Sequence, residues 1–179
     1  ILYLPTKLIA PNNTINLYHT NTIYIKDHFR IMKKLSEIGL NKNIVVKYKA
    51  MGIGEGQPFI PSYNDFKNLK YINNESNVSN LSKKSEIVII DSLGTTLIEA
   101  LTHGCKVILL NRYDGAFDFL DEIKESVYYC SSIEEVEYTI SNIDNIQSKN
   151  NTFLDLYNSS RTSEEVLLKR KAALTNLFN

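Results

Sequence analysis

Short apolar runs alternate with segments of helical periodicity along almost the whole chain. Runs rich in Ile, Val and Leu predict strands, and apolar positions three or four residues apart predict the helices between them. The predicted strands are 2–4, 43–49, 69–73, 86–91, 106–111 and 127–130. The predicted helices are 25–38, 75–85, 95–103, 116–125, 132–143 and much of 153–179. Polar residues over 6–21 and a stretch punctuated by glycine and proline over 51–62 predict loops.

This alternation of strands and helices is typical of an α/β protein with a parallel sheet. Right-handed crossovers then predict a doubly wound, Rossmann-like sheet of about six strands in the order 3-2-1-4-5-6, with helices on both faces. We expect one Rossmann-like domain over residues 1–145 and a C-terminal helical tail over 146–179. Because the chain begins with Ile1 rather than Met, we expect it to be a fragment of a longer, two-domain protein.

Local signals predict where several helices begin and end. Gly39 and Gly104 each follow a helical segment and are predicted C-terminal caps. Ser132 stands three residues before Glu135, which is the spacing of a capping box at the start of a helix. His28 falls within the first predicted helix, and we expect it on the exposed face of that helix.

Composition narrows the classes of function. Lys plus Arg and Asp plus Glu cancel at 20 each, which argues against a nucleic-acid partner because such proteins need a basic face. A few lysines at one place can still bind a small anion. Cys105 and Cys130 lack metal-ligand spacing and are predicted to be reduced structural thiols, so no metal site is expected. No apolar stretch reaches the ~18 residues of a membrane span, and no leader is visible, so we expect a cytoplasmic protein.

Polar residues gather at the predicted carboxyl ends of strands 1, 2 and 4. In a sheet of this order, ligands bind outside the carboxyl ends of the strands, between strands 1 and 4. Strand 1 ends in Pro5-Thr6-Lys7, strand 2 in Lys47-Tyr48-Lys49, and strand 4 in Asp91-Ser92-Leu93-Gly94-Thr95-Thr96. We therefore expect Thr6, Lys7 and Lys47 to face the turn after strand 4 across a crevice.

The turn after strand 4 has the chemistry of an anion site. A helix that begins near Thr95 carries free backbone N–H groups and about half a positive charge at its N-terminus. Gly94 would let the backbone approach a ligand, and Ser92, Thr95 and Thr96 add hydroxyl donors, which suits a phosphate or diphosphate. Glu99, one turn later, could accept hydrogen bonds from ribose or sugar hydroxyls. A turn of this composition also occurs as a plain helix cap, and both interpretations remain open here.

The same residues resemble a known family. "DSLGTTLIEALTHGCKVILLN" (91–111) resembles the donor-binding segment of GT-B fold glycosyltransferases, with a strand, a turn of small residues, a Glu-Ala pair and a second strand after glycine. "ILYLPT" (1–6) and "VVKYK" (45–49) resemble the opening of the C-terminal domain in bacterial surface-carbohydrate transferases, including the CDP-glycerol glycerophosphotransferases. The similarity covers roughly residues 1–140, and its specific motif is 88–110.

The resemblance implies roles for particular residues. Glu99 would bind ribose or sugar hydroxyls of the donor. The diphosphate would be held by Ser92, Gly94, Thr95 and Thr96, and the opposite wall would be lined by Thr6, Lys7 and Lys47. Two positions differ from the family pattern. Asp91 stands at the first of two glutamates that retaining members place eight residues apart, and Lys49-Ala50 stands where relatives carry a His-Pro pair.

The resemblance also implies a function. The chain would be the donor-binding half of a glycosyltransferase or glycerophosphotransferase that builds a bacterial surface or capsular polysaccharide. Its partners would be a nucleotide-sugar or CDP-glycerol-like donor, a saccharide or lipid-linked acceptor, and an N-terminal GT-B domain. The donor is a substrate, no cofactor is expected, and we expect the isolated chain to be inactive and to belong in the cytoplasm, including the inner face of the membrane. The alternatives are a sugar-nucleotide epimerase of the same fold and a non-enzymatic α/β nucleotide-binding module.

Overall fold

Six parallel strands form one sheet in the order β3-β2-β1-β4-β5-β6, as the sequence predicts. The computed structural model describes residues 1–5, 17–47, 66–72, 77–91, 93–111 and 120–162. The strands are β1 (Leu2–Leu4), β2 (Ile44–Lys47), β3 (Leu69–Ile72), β4 (Ile87–Ile90), β5 (Lys106–Leu110) and β6 (Tyr128–Cys130). All five pairings are parallel, so the described strands have the Rossmann-like arrangement expected of alternating βα units.

The described helices lie between and after the strands. They are α1 (Leu17–Ile38), α2 (Val78–Ser82), α3 (Thr95–Thr102), α4 (Leu120–Ser126), α5 (Ile133–Ser141) and α6 (Thr152–Thr162). α1 begins earlier than predicted, within the stretch assigned to a polar loop. The apolar period begins only around Ile25, but residues 17–24 contain no glycine or proline that would stop a helix. None of the described helices combines the length and apolarity that crossing a membrane requires.

Strands β1 and β4 are adjacent, which places the point of reversed strand order where the sequence predicts it. Leu4 pairs with Ile90, and Tyr3 pairs with Val46 on the other side of β1. The chain therefore winds in both directions from β1. The crevice at which this fold binds ligands opens at the carboxyl ends of β1 and β4.

Two apolar clusters cover the two faces of the sheet. Alternate strand residues enter opposite clusters, as Ile89 and Ile90 do in β4. α1 and α5 cover one face, and α2, α3, α4 and α6 cover the other. Phe153 of α6, within the predicted tail, is 8% exposed and packs in the cluster that also holds Leu97 and Leu101 of α3. The first part of that segment thus contributes to the core.

His28 is buried, so its predicted place on an exposed helix face is wrong. It is 2% exposed, and its Nδ1 lies 3.0 Å from the Tyr3 hydroxyl of β1. His28 precedes Ile31, Met32 and Leu35 by helical steps of three, four and seven, which is the stripe that α1 buries against the sheet. The same apolar periodicity that predicts helix α1 therefore also predicts that His28 lies on its buried face.

The predicted helix ends at Gly104 and Ser132 are confirmed, whereas Gly39 continues the chain into a further turn. Gly104 follows α3 with φ 72°, the left-handed conformation that glycine adopts at low cost. The Ser132 side chain accepts a hydrogen bond from the Glu135 N–H at 3.2 Å, and the Glu135 carboxylate accepts one from the Ser131 N–H at 2.7 Å. Gly39 opens a short 3₁₀ turn after α1, and a Cβ there would lie 3.0 Å from the Asn68 Cβ.

Candidate functional site

Buried polar residues mark the carboxyl edge of the sheet. Lys47 ends β2, Asp91 follows β4 and Asn111 follows β5, with exposures of 7%, 8% and 3%. Such groups are costly to desolvate, so their gathering at one edge is the first indication of a polar site rather than of packing alone. The predicted residues Thr6, Lys7 and Ser92 lie outside the described residues.

Strand alternation divides these polar residues between the two faces. Val45 packs in the same cluster as α3, so Lys47, two residues later, lies on that face of the sheet. Leu109 of β5 also packs in that cluster, so Asn111, two residues later, lies on the same face. Asp91 follows Ile90, which faces α3, and therefore lies on the α1 side. Lys47 and Asn111 thus share a face with α3, as an anion site at α3 requires, whereas Asp91 does not.

Lys47 is a desolvated cation. Burial lowers the pKa of its ammonium group from the usual value for lysine. Lys47 lies two strands from β4, about 10 Å by the usual strand spacing. It can therefore contribute charge from the β2 side of the crevice, while α3 lies on the β4 side.

α3 begins at the turn after β4. Its N-cap, Gly94, has an extended backbone with φ 177°, and its carbonyl accepts the Leu97 N–H at 3.1 Å. A Cβ on Gly94 would meet nothing within 4 Å. Neither backbone conformation nor packing demands glycine here, so the methyl-sized space beside the helix N-terminus is open. Thr95 is exposed and Thr96 is half-buried, which leaves both hydroxyl-bearing side chains at this end of the helix.

Glu99 carries a buried oxygen that lacks a hydrogen-bond partner. Its Oε2 atom is enclosed, and no group in the described part of the chain donates to it. A buried acceptor left unsatisfied costs about 1–3 kcal/mol. The Oγ atom of Ser82 has the same property, but it is a neutral hydroxyl in a fully buried residue at the end of α2. Glu99 as a whole is half-buried, so its carboxylate lies at the border between the core and the surface of α3.

Glu99 belongs to one ridge of α3. Thr95, Glu99 and His103 are spaced by four residues and therefore lie in a row along the helix. At the lower end of this ridge, the His103 Nε2 lies 2.7 Å from the Ser79 Oγ of α2. α2 belongs to the crossover from β3 to β4, which passes over β2 and β1, so the ridge faces the β1 side. Helical side chains tilt toward the N-terminus, which brings the Glu99 carboxylate toward Thr95.

A second polar pair lies beyond α3, at the ends of β5 and β6. The Asn111 Nδ2 donates to the Tyr129 hydroxyl at 3.0 Å, and the Lys124 ammonium lies 5.2 Å from the centre of the Tyr129 ring. Sequence reasoning alone does not single out Tyr129, because a tyrosine in a short strand is usually part of the core. Its pairing with a buried amide becomes visible only when β5 and β6 are side by side.

The remaining predicted features are placed as follows. Cys105 and Cys130 are buried free thiols, as predicted, and burial raises the pKa of Cys130 to about 11. Within the described ranges, no three His, Cys, Asp or Glu side chains are grouped as metal ligands.

No protein-family model matches this chain, and no curated protein sequence matches it significantly.

Proposed function

We propose that this chain is the donor-binding half of a GT-B type glycosyltransferase or glycerophosphotransferase that uses a nucleotide-activated donor to build a bacterial surface polysaccharide. The fold, the location of the polar edge and the likeness of residues 91–111 to the donor-binding segment of that family support the proposal. In this proposal, an N-terminal domain carries the acceptor site. The acceptor is a saccharide or a lipid-linked molecule. The enzyme acts in the cytoplasm, including the inner face of the membrane.

The observation that carries the proposal is the unsatisfied Oε2 of Glu99. A carboxylate repels phosphate, but it accepts hydrogen bonds from hydroxyl groups. Glu99 lies one turn, about 6 Å of helix rise, from the N-terminus of α3, where the helix dipole favours an anion. A nucleotide has both groups in one molecule. Its phosphates suit the start of α3, and its ribose hydroxyls suit Glu99.

This arrangement favours departure of the nucleotide from the donor. When the acceptor oxygen attacks the transferred group, the bond to the phosphate oxygen breaks and negative charge grows on the leaving nucleotide. Positive potential at the start of α3 and the charge of Lys47 stabilise that growing charge, which lowers the barrier through fixed electrostatics. The base that takes the acceptor proton belongs to the N-terminal domain, so the isolated chain binds the donor without turning it over.

Calorimetric titration of the chain with UDP, CDP, CMP and GDP tests the proposal. We expect saturable binding of at least one nucleotide. Glu99→Ala and Thr95→Val should each weaken it by about 1–3 kcal/mol, or about 5- to 150-fold, because each removes a polar partner of a group that the nucleotide buries when it binds. Thr102→Val is the matched control for Thr95→Val, since Thr102 lies at the other end of α3 and donates to the Ile98 carbonyl. The Thr102→Val variant should bind the nucleotide with the same affinity as the unmodified chain.

Three outcomes would contradict the proposal. Failure of all four nucleotides to bind would remove the donor site altogether. Equal effects of Thr95→Val and Thr102→Val would show that binding does not involve the start of α3. Conversion of UDP-N-acetylglucosamine to its epimer during long incubation would assign the chain to the epimerases of this fold.

A further inference from the structure

We propose that Tyr129 is a specificity-determining residue that donates a hydrogen bond to the transferred group of the donor. This inference rests on the proposed function. The transferred group is the sugar of a nucleotide-sugar or the glycerol phosphate of a CDP-glycerol-like donor, and its hydroxyls lie at the end of the donor away from the nucleoside. Tyr129 would allow the site to distinguish an intact donor from the free nucleotide.

The two sides of α3 present opposite hydrogen-bonding groups to a ligand, an acceptor on one side and a donor on the other. Glu99, on the β1 side, presents a carboxylate oxygen to which none of the described groups donates. Tyr129, on the β6 side, has a hydroxyl that accepts a hydrogen bond from the Asn111 Nδ2 at 3.0 Å. Within the described ranges, no acceptor receives the hydroxyl's own proton. Tyr129 can therefore donate to a ligand oxygen while its own oxygen stays bound to Asn111.

Strand register places Tyr129 close enough for this role. Leu109 pairs with Tyr129 and also with Ile90, so Tyr129 is level with the last residue of β4 and lies two strands away. Two strand spacings amount to about 10 Å, and the tyrosine side chain crosses part of that distance toward Asn111. A donor with its phosphates at the start of α3 and its ribose toward β1 would direct its other end toward β5 and β6.

The Tyr129 hydroxyl is held in one place by its neighbours. Asn111 is 3% exposed, so its amide has little freedom to move. The Lys124 ammonium, 5.2 Å from the ring centre, packs over one side of the ring. A hydroxyl fixed in this way discriminates between ligands better than a mobile one, because less ordering is needed when the ligand binds.

The test compares a nucleotide with its own donor on the full chain. The pairs are UDP with UDP-glucose, GDP with GDP-mannose, and CMP with CDP-glycerol. For the pair that binds, Tyr129→Phe should lower the affinity for the intact donor about 3- to 10-fold, as expected for one lost hydrogen bond. The affinity for the free nucleotide should not change. Tyr128→Phe is the matched control. Its hydroxyl bonds to the Gln147 backbone at 2.8 and 3.1 Å, and its removal should alter neither affinity.

Each other outcome overturns the inference in a recognisable way. Equal weakening of donor and free nucleotide would make Tyr129 a structural residue and would leave the proposed function intact. Unchanged affinity for both ligands would show that the transferred group lies elsewhere. Absence of nucleotide binding in the unmodified chain would overturn the proposed function together with this inference.

Discussion

His28 shows how burial sets the chemistry of a single side chain. Its imidazole lies between α1 and the sheet, with the Tyr3 hydroxyl 3.0 Å from its Nδ1. Burial lowers the pKa of His28 to about 4, because the charged imidazolium loses its hydration there. The neutral form is therefore the one that the native state accommodates. Protonation must be accompanied by loss of stability, since the unfolded chain binds the proton more readily.

The expected pH dependence follows from the direction of this shift. Because the folded pKa lies below the unfolded value of about 6.5, the stability contributed by His28 is complete above pH 6.5 and is lost as the pH falls toward 4. We expect a loss of about 2 kcal/mol between pH 7 and pH 5 that His28→Gln removes. Urea unfolding of both proteins at the two pH values measures it. If the His28→Gln protein loses the same stability between pH 7 and pH 5, groups other than His28 cause the pH dependence.

Helix α5 is an element whose boundaries follow from local chemistry. Ser132 caps its first turn, and Glu135 reaches back to the Ser131 N–H. The helix packs beside α1, where Arg30 forms a fork with Glu137 at 2.9 and 2.6 Å and also contacts Glu134 at 2.8 Å. These carboxylates hold the pKa of the Arg30 guanidinium above its usual value. α5 is therefore fixed at its start by a cap and along its side by a second helix.

Removal of the cap should destabilise the protein measurably. Ser132→Ala deletes the acceptor for the Glu135 N–H, and we expect it to lower the free energy of unfolding by about 1 kcal/mol. Ser141→Ala is a suitable control, because that hydroxyl donates to the Glu137 carbonyl at the other end of the helix. Chemical denaturation of the two variants compares them directly. An equal and negligible effect of both substitutions would mean that α5 needs no cap.

The strands and the helix caps are the elements that neighbouring residues predict most directly. The six strands and the caps at Gly104 and Ser132 follow from neighbouring residues. The start of α1 was missed because its first two turns lack an apolar stripe. The position of His28 was also missed, although its spacing from Ile31 and Leu35 carried the signal.

At the scale of the whole molecule, the candidate site exists because distant segments meet at one edge. β1, β2 and β4 come from residues 2–4, 44–47 and 87–90, and the predicted strand order brings their carboxyl ends together. The sequence could predict this edge and the place of Lys47 and Gly94 on it. It could not show that no described group donates to the Glu99 Oε2, or that Asn111 binds Tyr129, because both depend on side-chain packing between separate elements.

The central claim is that backbone amides at the start of α3 bind the phosphates of a nucleotide, and Gly94→Ala tests it most directly. The extended backbone and the open space at Gly94 accept a methyl group without strain, so the free energy of unfolding should not change. The methyl would stand between the ligand and the amides. Titration with the nucleotide that binds the unmodified chain should then show an affinity about tenfold weaker, or ~1.4 kcal/mol. Unchanged affinity in a folded Gly94→Ala protein would contradict the claim.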